Sequence, residues 1–121
     1  MSDPYPSFRV HLRMDGAVVA GFTKATGLER GPDGQPITSG AIVLSRGIST
    51  DADFIRWAAP GLSAPQPRDL ALDLYNEAGQ RVVSDRLVEA WVAAVTSDLG
   101  VEDQVLYESL TLQCQSWTQT P

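Results

Sequence analysis

A single histidine, His11, and a single cysteine, Cys114, stand in a chain of 121 residues, and this scarcity bounds the chemistry before anything else does. A Ser-His-Asp relay would have to use His11, which falls inside an alternating segment on the side opposite the apolar residues. No Gly-x-Ser-x-Gly turn precedes a helical stretch, so His11 reads as an exposed strand residue. Cys114 follows Leu110 and Leu112 at two-residue spacing, the position of a small buried hydrophobe, not of a nucleophile. Asp51 and Asp53 have a spacing that suits Mg²⁺ or Ca²⁺. No third carboxylate follows, and acids at a helix start cap it and complement its dipole. Gly27, Gly31, Gly34 and Gly40 spell neither a P-loop nor a dinucleotide fingerprint. Trp57, Trp91 and Trp117 fall in three separate elements, which favours core and interface packing over a ligand-stacking platform. No catalytic, cofactor or metal-binding residue is assigned, and the chain reads as a protein without enzymatic activity.

Bulk composition agrees. Nine basic residues face fifteen acidic ones, for a net charge of −6, so no basic stripe is present to neutralise phosphates. One cysteine excludes an internal disulfide, and no Cys/His cluster offers a zinc site. No run approaches the ~18 apolar residues of a membrane helix, and the N-terminus lacks a basic-then-apolar signal segment. At 43% hydrophobic, the chain is expected to fold as one soluble domain over residues 1–121, made inside the cell.

The elements follow from periodicity. Phe8, Val10, Leu12 and Met14 alternate with polar residues, a half-buried strand. Asp15-Gly16 signals a hairpin, and Ala17 to Thr26 supplies its antiparallel partner. Gly27 to Gly40 is a Gly/Pro-rich loop with Asp33-Gly34 as its turn. Ala41 to Ile48 is a third strand. Ser49-Thr50-Asp51 offers cap side chains to a short helix through Phe54 and Trp57, which Pro60-Gly61 stops. Leu70, Leu72 and Leu74 mark a fourth strand, and Asn76 to Gly79 turns it. Arg81 to Thr96 also fits helical spacing, but Val82, Val83, Val88, Val92 and Val95 favour a strand. Val105 to Trp117 closes the series, with Leu106, Leu110, Leu112 and Cys114 expected on one face and Tyr107, Thr111, Gln113 and Gln115 on the other. The result is mainly β, about six antiparallel strands with one short α-helix, folded as a small β-sandwich or β-barrel. Two strands exceed the usual five or six residues. Long strands with few lysines or prolines leave sticky edges, and closure into a ring of copies is one resolution.

A series of ordered landmarks resembles a known family. Asp3-Pro4-Tyr5-Pro6-Ser7-Phe8 opens it, followed by Gly16 to Phe22, Thr26-Gly27-Leu28, and Leu44-Ser45-Arg46-Gly47-Ile48. Asp51, Asp53, Phe54 and Trp57 come next, then Asn76 to Gly79, Ala90-Trp91, and Tyr107 to Leu112. From about residue 3 to 113 the chain is similar to the inner tail-tube proteins of contractile phage tails and injection systems. The resemblance implies ring-forming oligomers: hexameric rings that stack into a tube inside a sheath, assembled into a virion tail or injection-system particle. Implied partners are the chain itself, the sheath protein, and baseplate or hub proteins. DNA or protein cargo meets it only in passage, and the subunit has no membrane binding of its own and no cofactor.

Carried onto this chain, the resemblance gives Arg46, Gly47, Trp57 and Trp91 structural core roles, and Leu87 joins them by alternation. Side-chain alternation along Arg81 to Thr96 places Leu87 and Trp91 toward the core and Arg86, Val88 and Ala90 toward lumen or neighbour. Glu29, Arg30, Asp33 and Gln35 fall in the ring-stacking loop, which is shorter and richer in Gly and Pro than the family's usual excursion. A specialised ring or adaptor near the baseplate, with the same fold, is the alternative reading.

Overall fold

The computed structural model describes residues 8–27, 41–59, 66–100 and 103–120. Seven strands and one helix follow in chain order: β1 (Val10–Met14), β2 (Ala17–Thr26), β3 (Ile42–Ser49), α1 (Ala52–Trp57), β4 (Arg68–Tyr75), β5 (Arg81–Leu99), β6 (Val105–Gln113) and β7 (Ser116–Thr120). All pairings are antiparallel. They run β4-β1-β2-β3-β6-β5, and β5 pairs back onto β4, which closes a six-stranded barrel. Asp15 and Gly16 both adopt positive φ in the β1–β2 turn, the requirement that an Asp-Gly hairpin meets. The stacking-loop residues Glu29, Arg30, Asp33 and Gln35 lie outside the described residues, as does the Pro60-Gly61 stop.

The core is filled from all six barrel strands. Val10, Leu12, Val19, Ala20, Phe22, Leu44, Leu70, Leu72, Leu87, Leu110 and Leu112 are buried together with Phe54 and Trp57 of the helix. The short helix covers the core with Phe54 and Trp57. Asp51 caps it, accepting from the Phe54 N–H at 2.9 Å. Phe54 packs edge-on against Tyr107, with centroids 5.8 Å apart, and the Trp57 indole donates to the Gln66 carbonyl at 2.6 Å. Ser49, fully buried at the end of β3, gives its hydroxyl proton to the Val19 carbonyl at 2.6 Å. Its oxygen accepts from the Asp51 N–H at 3.1 Å, which ties strand end to helix start.

Several expectations are corrected by two interruptions of strand alternation. The first crosses β3 and β6. Ser45 pairs with Ser109 and Gly47 with Tyr107, and between those pairs Arg46 (φ 53) and Glu108 are both exposed. Below this level Ile42, Leu44, Leu110 and Leu112 face the core; above it Gly47 and Tyr107 do. Arg46 is therefore a surface residue and not a core one. Tyr107 is buried and Leu106 exposed, the reverse of the simple alternation.

The second lies in β5. Leu70 pairs with Leu87 and Arg68 with Ala90, so β5 carries one extra residue, and Glu89 takes φ 50. The bulge flips the faces beyond it. Leu87 is fully buried, but so is Ala90, which does not face lumen or neighbour, and Trp91 is only half-buried instead of being a core anchor. The expected last strand is also divided. β6 and β7 run along the same edge of β5, broken at Cys114-Gln115, where the Gln115 N–H still reaches the Val88 carbonyl at 2.9 Å. His11 is buried, its ring 4.5 Å from that of Tyr75, and not exposed.

Candidate functional site

The candidate contact surface is the sheet β2–β3–β6–β5. Here the strands outrun the barrel. β1 pairs with β2 only as far as Phe22, and β4 covers β5 only as far as Ala90. Beyond those points residues 23–26 of β2 and 91–99 of β5 keep one neighbour each, β3 and β6. Among the described residues no strand pairs with their other edges. These two free edges lie at opposite sides of one four-stranded sheet, each offering backbone donors and acceptors to another chain.

The sheet has one face on the core and one in solvent. On the core side Ala25, Leu44, Leu110 and Val95 pair across the four strands. On the outer side the matching row is Lys24, Ser45, Ser109 and Thr96. The next row is Thr26, Val43, Thr111 and Ala94. The Thr23 hydroxyl donates to the Ser45 carbonyl at 3.0 Å, which spends part of its polarity internally. Small hydroxyl and methyl groups thus dominate this face, and Arg46 and Glu108, exposed at one level of it, carry opposite charges.

The residues singled out from the sequence do not form one site. Gly47, Trp57 and Leu87 are buried in the barrel wall, the helix plug and the β4–β5 seam. A Cβ on Gly47 would collide with the Phe22 ring and lie 2.5 Å from the Gly21 carbonyl, so the position is a close backbone approach. Arg86 and Val88 are on the outer face of β5, exposed and half-buried. Cys114 is half-buried, and burial pushes its thiol pKa up, which disfavours the reactive thiolate. Among the described residues no group of His, Cys, Asp and Glu is placed to hold a metal ion, and no helix is long and apolar enough to cross a membrane.

Sequence reasoning expected open edges on the long strands but could not locate them, because strand lengths alone do not say where a neighbour ends. It also missed the role of Asp69, whose carboxylate accepts from the Glu89 N–H at 3.0 Å and pins the β5 bulge. A β4 acid near a β5 bulge has no linear signature.

Comparison with known proteins bears on this surface. Residues 5–118 match the family described as T4-like virus tail tube protein gp19. No curated protein sequence matches. Among solved structures, the chain resembles one in a sheath/tube terminator of the extracellular contractile injection system PVC. That match has TM-score 0.55 and 17% identity and covers 99% of each chain. A chain in the PVC sheath-tube complex matches with TM-score 0.53 and 19% identity, over 97% of this chain and 91% of that one. Hcp1 from Flavobacterium johnsoniae matches with TM-score 0.52 and 12% identity, over 93% and 94%. At these identities the structures establish a shared fold.

Proposed function

Because this chain belongs to the T4-like virus tail tube family, we propose that its barrels join into hexameric rings that stack as the inner tube of a contractile phage tail or injection system. A tail tube protein contributes shape and self-association. The observation that carries the ring reading is the pair of free edges on one sheet. Residues 91–99 of one copy pair with residues 23–26 of the next, so the four-stranded sheet continues from subunit to subunit. Heterologous contacts of this kind close into a ring when the rotation per copy allows it. Closure removes the edges that would otherwise seed uncontrolled aggregation.

In that ring the outer face, with Lys24, Ser45, Ser109 and Thr96, turns to the lumen. A wall of small hydroxyls and methyls, nearly balanced in charge, gives passing DNA or protein cargo little to hold. The opposite side, with α1, turns outward toward the sheath, and the ends of the stack meet baseplate or hub proteins. The chain works without catalysis or cofactor, in a particle assembled from subunits made in the cytoplasm. Light scattering on the purified chain over a range of concentrations tests the reading: a species of six protomer masses is expected, and a monomer at every concentration overturns it.

A further inference from the structure

Over residues 23–26, 42–49, 105–113 and 91–99, the four-stranded sheet carries one charged residue on each strand, all exposed. In sheet order they are Lys24 on β2, Arg46 on β3, Glu108 on β6 and Asp98 on β5, two cations followed by two acids. Arg46 and Glu108 lie at one level on neighbouring strands, so the middle of the sheet balances itself. The edges do not. Lys24 is the chain's single lysine, and the Asp98 carboxylate accepts from the Leu99 N–H at 2.8 Å. Neither has an ion-pair partner among the described residues. They stand on opposite edges of the sheet, and a second copy joined edge to edge brings them together.

The register of such a joint is constrained by what already occupies each edge. β2, β3, β6 and β5 alternate in direction, and rotation about a ring axis preserves direction, so β5 meets the next copy's β2 antiparallel. Within the sheet Lys24 is level with Thr96. Carried unchanged across the joint, that level would set Asp98 opposite Phe22, whose edge is taken by Val10 of β1. Closing a sheet into a barrel also requires a stagger between strands, and the stagger must be even to keep each face on its own side. A shift of two residues toward the end of β5 satisfies both conditions. It sets Thr26 opposite Thr96, Ala25 opposite Ser97, Lys24 opposite Asp98 and Thr23 opposite Leu99, so the free stretches end together. A larger shift runs past Leu99, and a shift the other way drives more of β5 against β1. Alternation along β5 is regular from Thr96 to Asp98, because the extra residue at that level is Glu108 on β6, so Asp98 shares the outer face with Thr96 and Lys24.

We infer that Lys24 of one copy and Asp98 of its neighbour form the ion pair that sets the register of the ring joint. This rests on the edge-to-edge reading above and adds to it which residues lie opposite one another. Opposite charges directly across an antiparallel pair attract and like charges there repel. The pair therefore favours this register over the adjacent one, in which Lys24 faces Thr96.

Cysteine cross-linking tests it on the full chain, in a Cys114→Ser background, with circular dichroism to establish that each variant is folded. Lys24→Cys with Asp98→Cys is expected to give disulfide-linked ladders up to the hexamer on mild oxidation. Directly opposite residues bring their Cα atoms to about 4.5–5.5 Å, within disulfide reach. The link must run between copies, since three strand spacings of about 4.8 Å separate the two positions within one chain by at least about 14 Å. Lys24→Cys with Thr96→Cys, one step out of register, is expected to link far less. In sedimentation velocity, Lys24→Glu raises the concentration at half assembly about threefold or more, and adding Asp98→Lys restores it. A folded Lys24→Glu variant that assembles like the wild type, or linking through position 96 in place of 98, overturns the pair and leaves the ring reading standing. A wild type that never assembles overturns the ring reading, and the pair with it.

Discussion

Phe22 on β2 pairs directly with Gly47 on β3, and the Phe22 ring occupies the space that a side chain at position 47 would fill. The ring passes over the glycine to reach Tyr107 on β6, with centroids 5.9 Å apart. Tyr107 in turn meets Phe54 of the helix. One missing Cβ therefore lets an aromatic chain run from the second strand to the helical plug. Gly47→Ala forces either the ring or the Gly21 carbonyl to move, and overpacking of this kind costs about 1–3 kcal/mol. Urea denaturation should show the loss as a lower midpoint with an unchanged slope.

The β5 bulge decides which of two neighbouring residues is a core position. Ala90 is fully buried and Trp91 half-buried, so Ala90→Asp places a carboxylate at a buried position whose cross-strand neighbour, Arg68, already serves Asp15. An unpaired buried charge costs several kcal/mol, against a total stability of about 5–15 for a typical domain. Ala90→Asp is expected to abolish cooperative thermal unfolding. Trp91→Asp, whose new carboxylate can reach water, should leave a folded protein with a reduced melting temperature.

This reversal shows what the sequence could and could not convey. Every strand except the β6–β7 division was visible, because Val10, Leu12 and Met14, or Leu70 and Leu72, repeat with period two. The face of a residue was visible only up to the first irregularity. Arg46 and Glu89 adopt positive φ without being glycine, and neither residue type announces it. One extra residue flips every side chain after it, which is why Ala90 and Trp91 depart from simple alternation, whereas Arg46 and Leu106 depart because the Arg46–Glu108 level turns outward on both strands at once. His11 was misplaced for a different reason: its burial comes from Tyr75, which is brought to it by β4 pairing.

Two Arg–Asp ion pairs should behave differently. Arg13 serves Asp73, whose side chain is only 6% exposed and which also accepts from the Ser84 hydroxyl at 2.7 Å. Arg56 serves Asp53 at 3.4 Å with both side chains largely in water. Arg13→Ala leaves a nearly buried carboxylate short of its cation and should cost about 2–3 kcal/mol. Arg56→Ala should change stability by no more than about 0.5 kcal/mol. Chemical denaturation of both variants checks the ordering.

Cys114 provides a prediction in pH. Burial raises its thiol pKa, which means that the thiolate fraction at any pH below that value is smaller than for a free cysteine. Alkylation by iodoacetamide at pH 7.5 should be slower than for a free thiol, and should accelerate as pH rises and again on denaturation. Rapid labelling of the folded chain at neutral pH would show an exposed or activated thiol instead.

The central claim is that the free edges of the β2–β3–β6–β5 sheet join copies of this chain into a ring with an open lumen. Electron microscopy of the purified protein near its assembly concentration tests it most directly. Six-fold rings, or stacks of them, with residues 91–99 of each subunit paired to residues 23–26 of the next, are the predicted result. Discrete monomers, or oligomers in which those two edges stay apart, would contradict it.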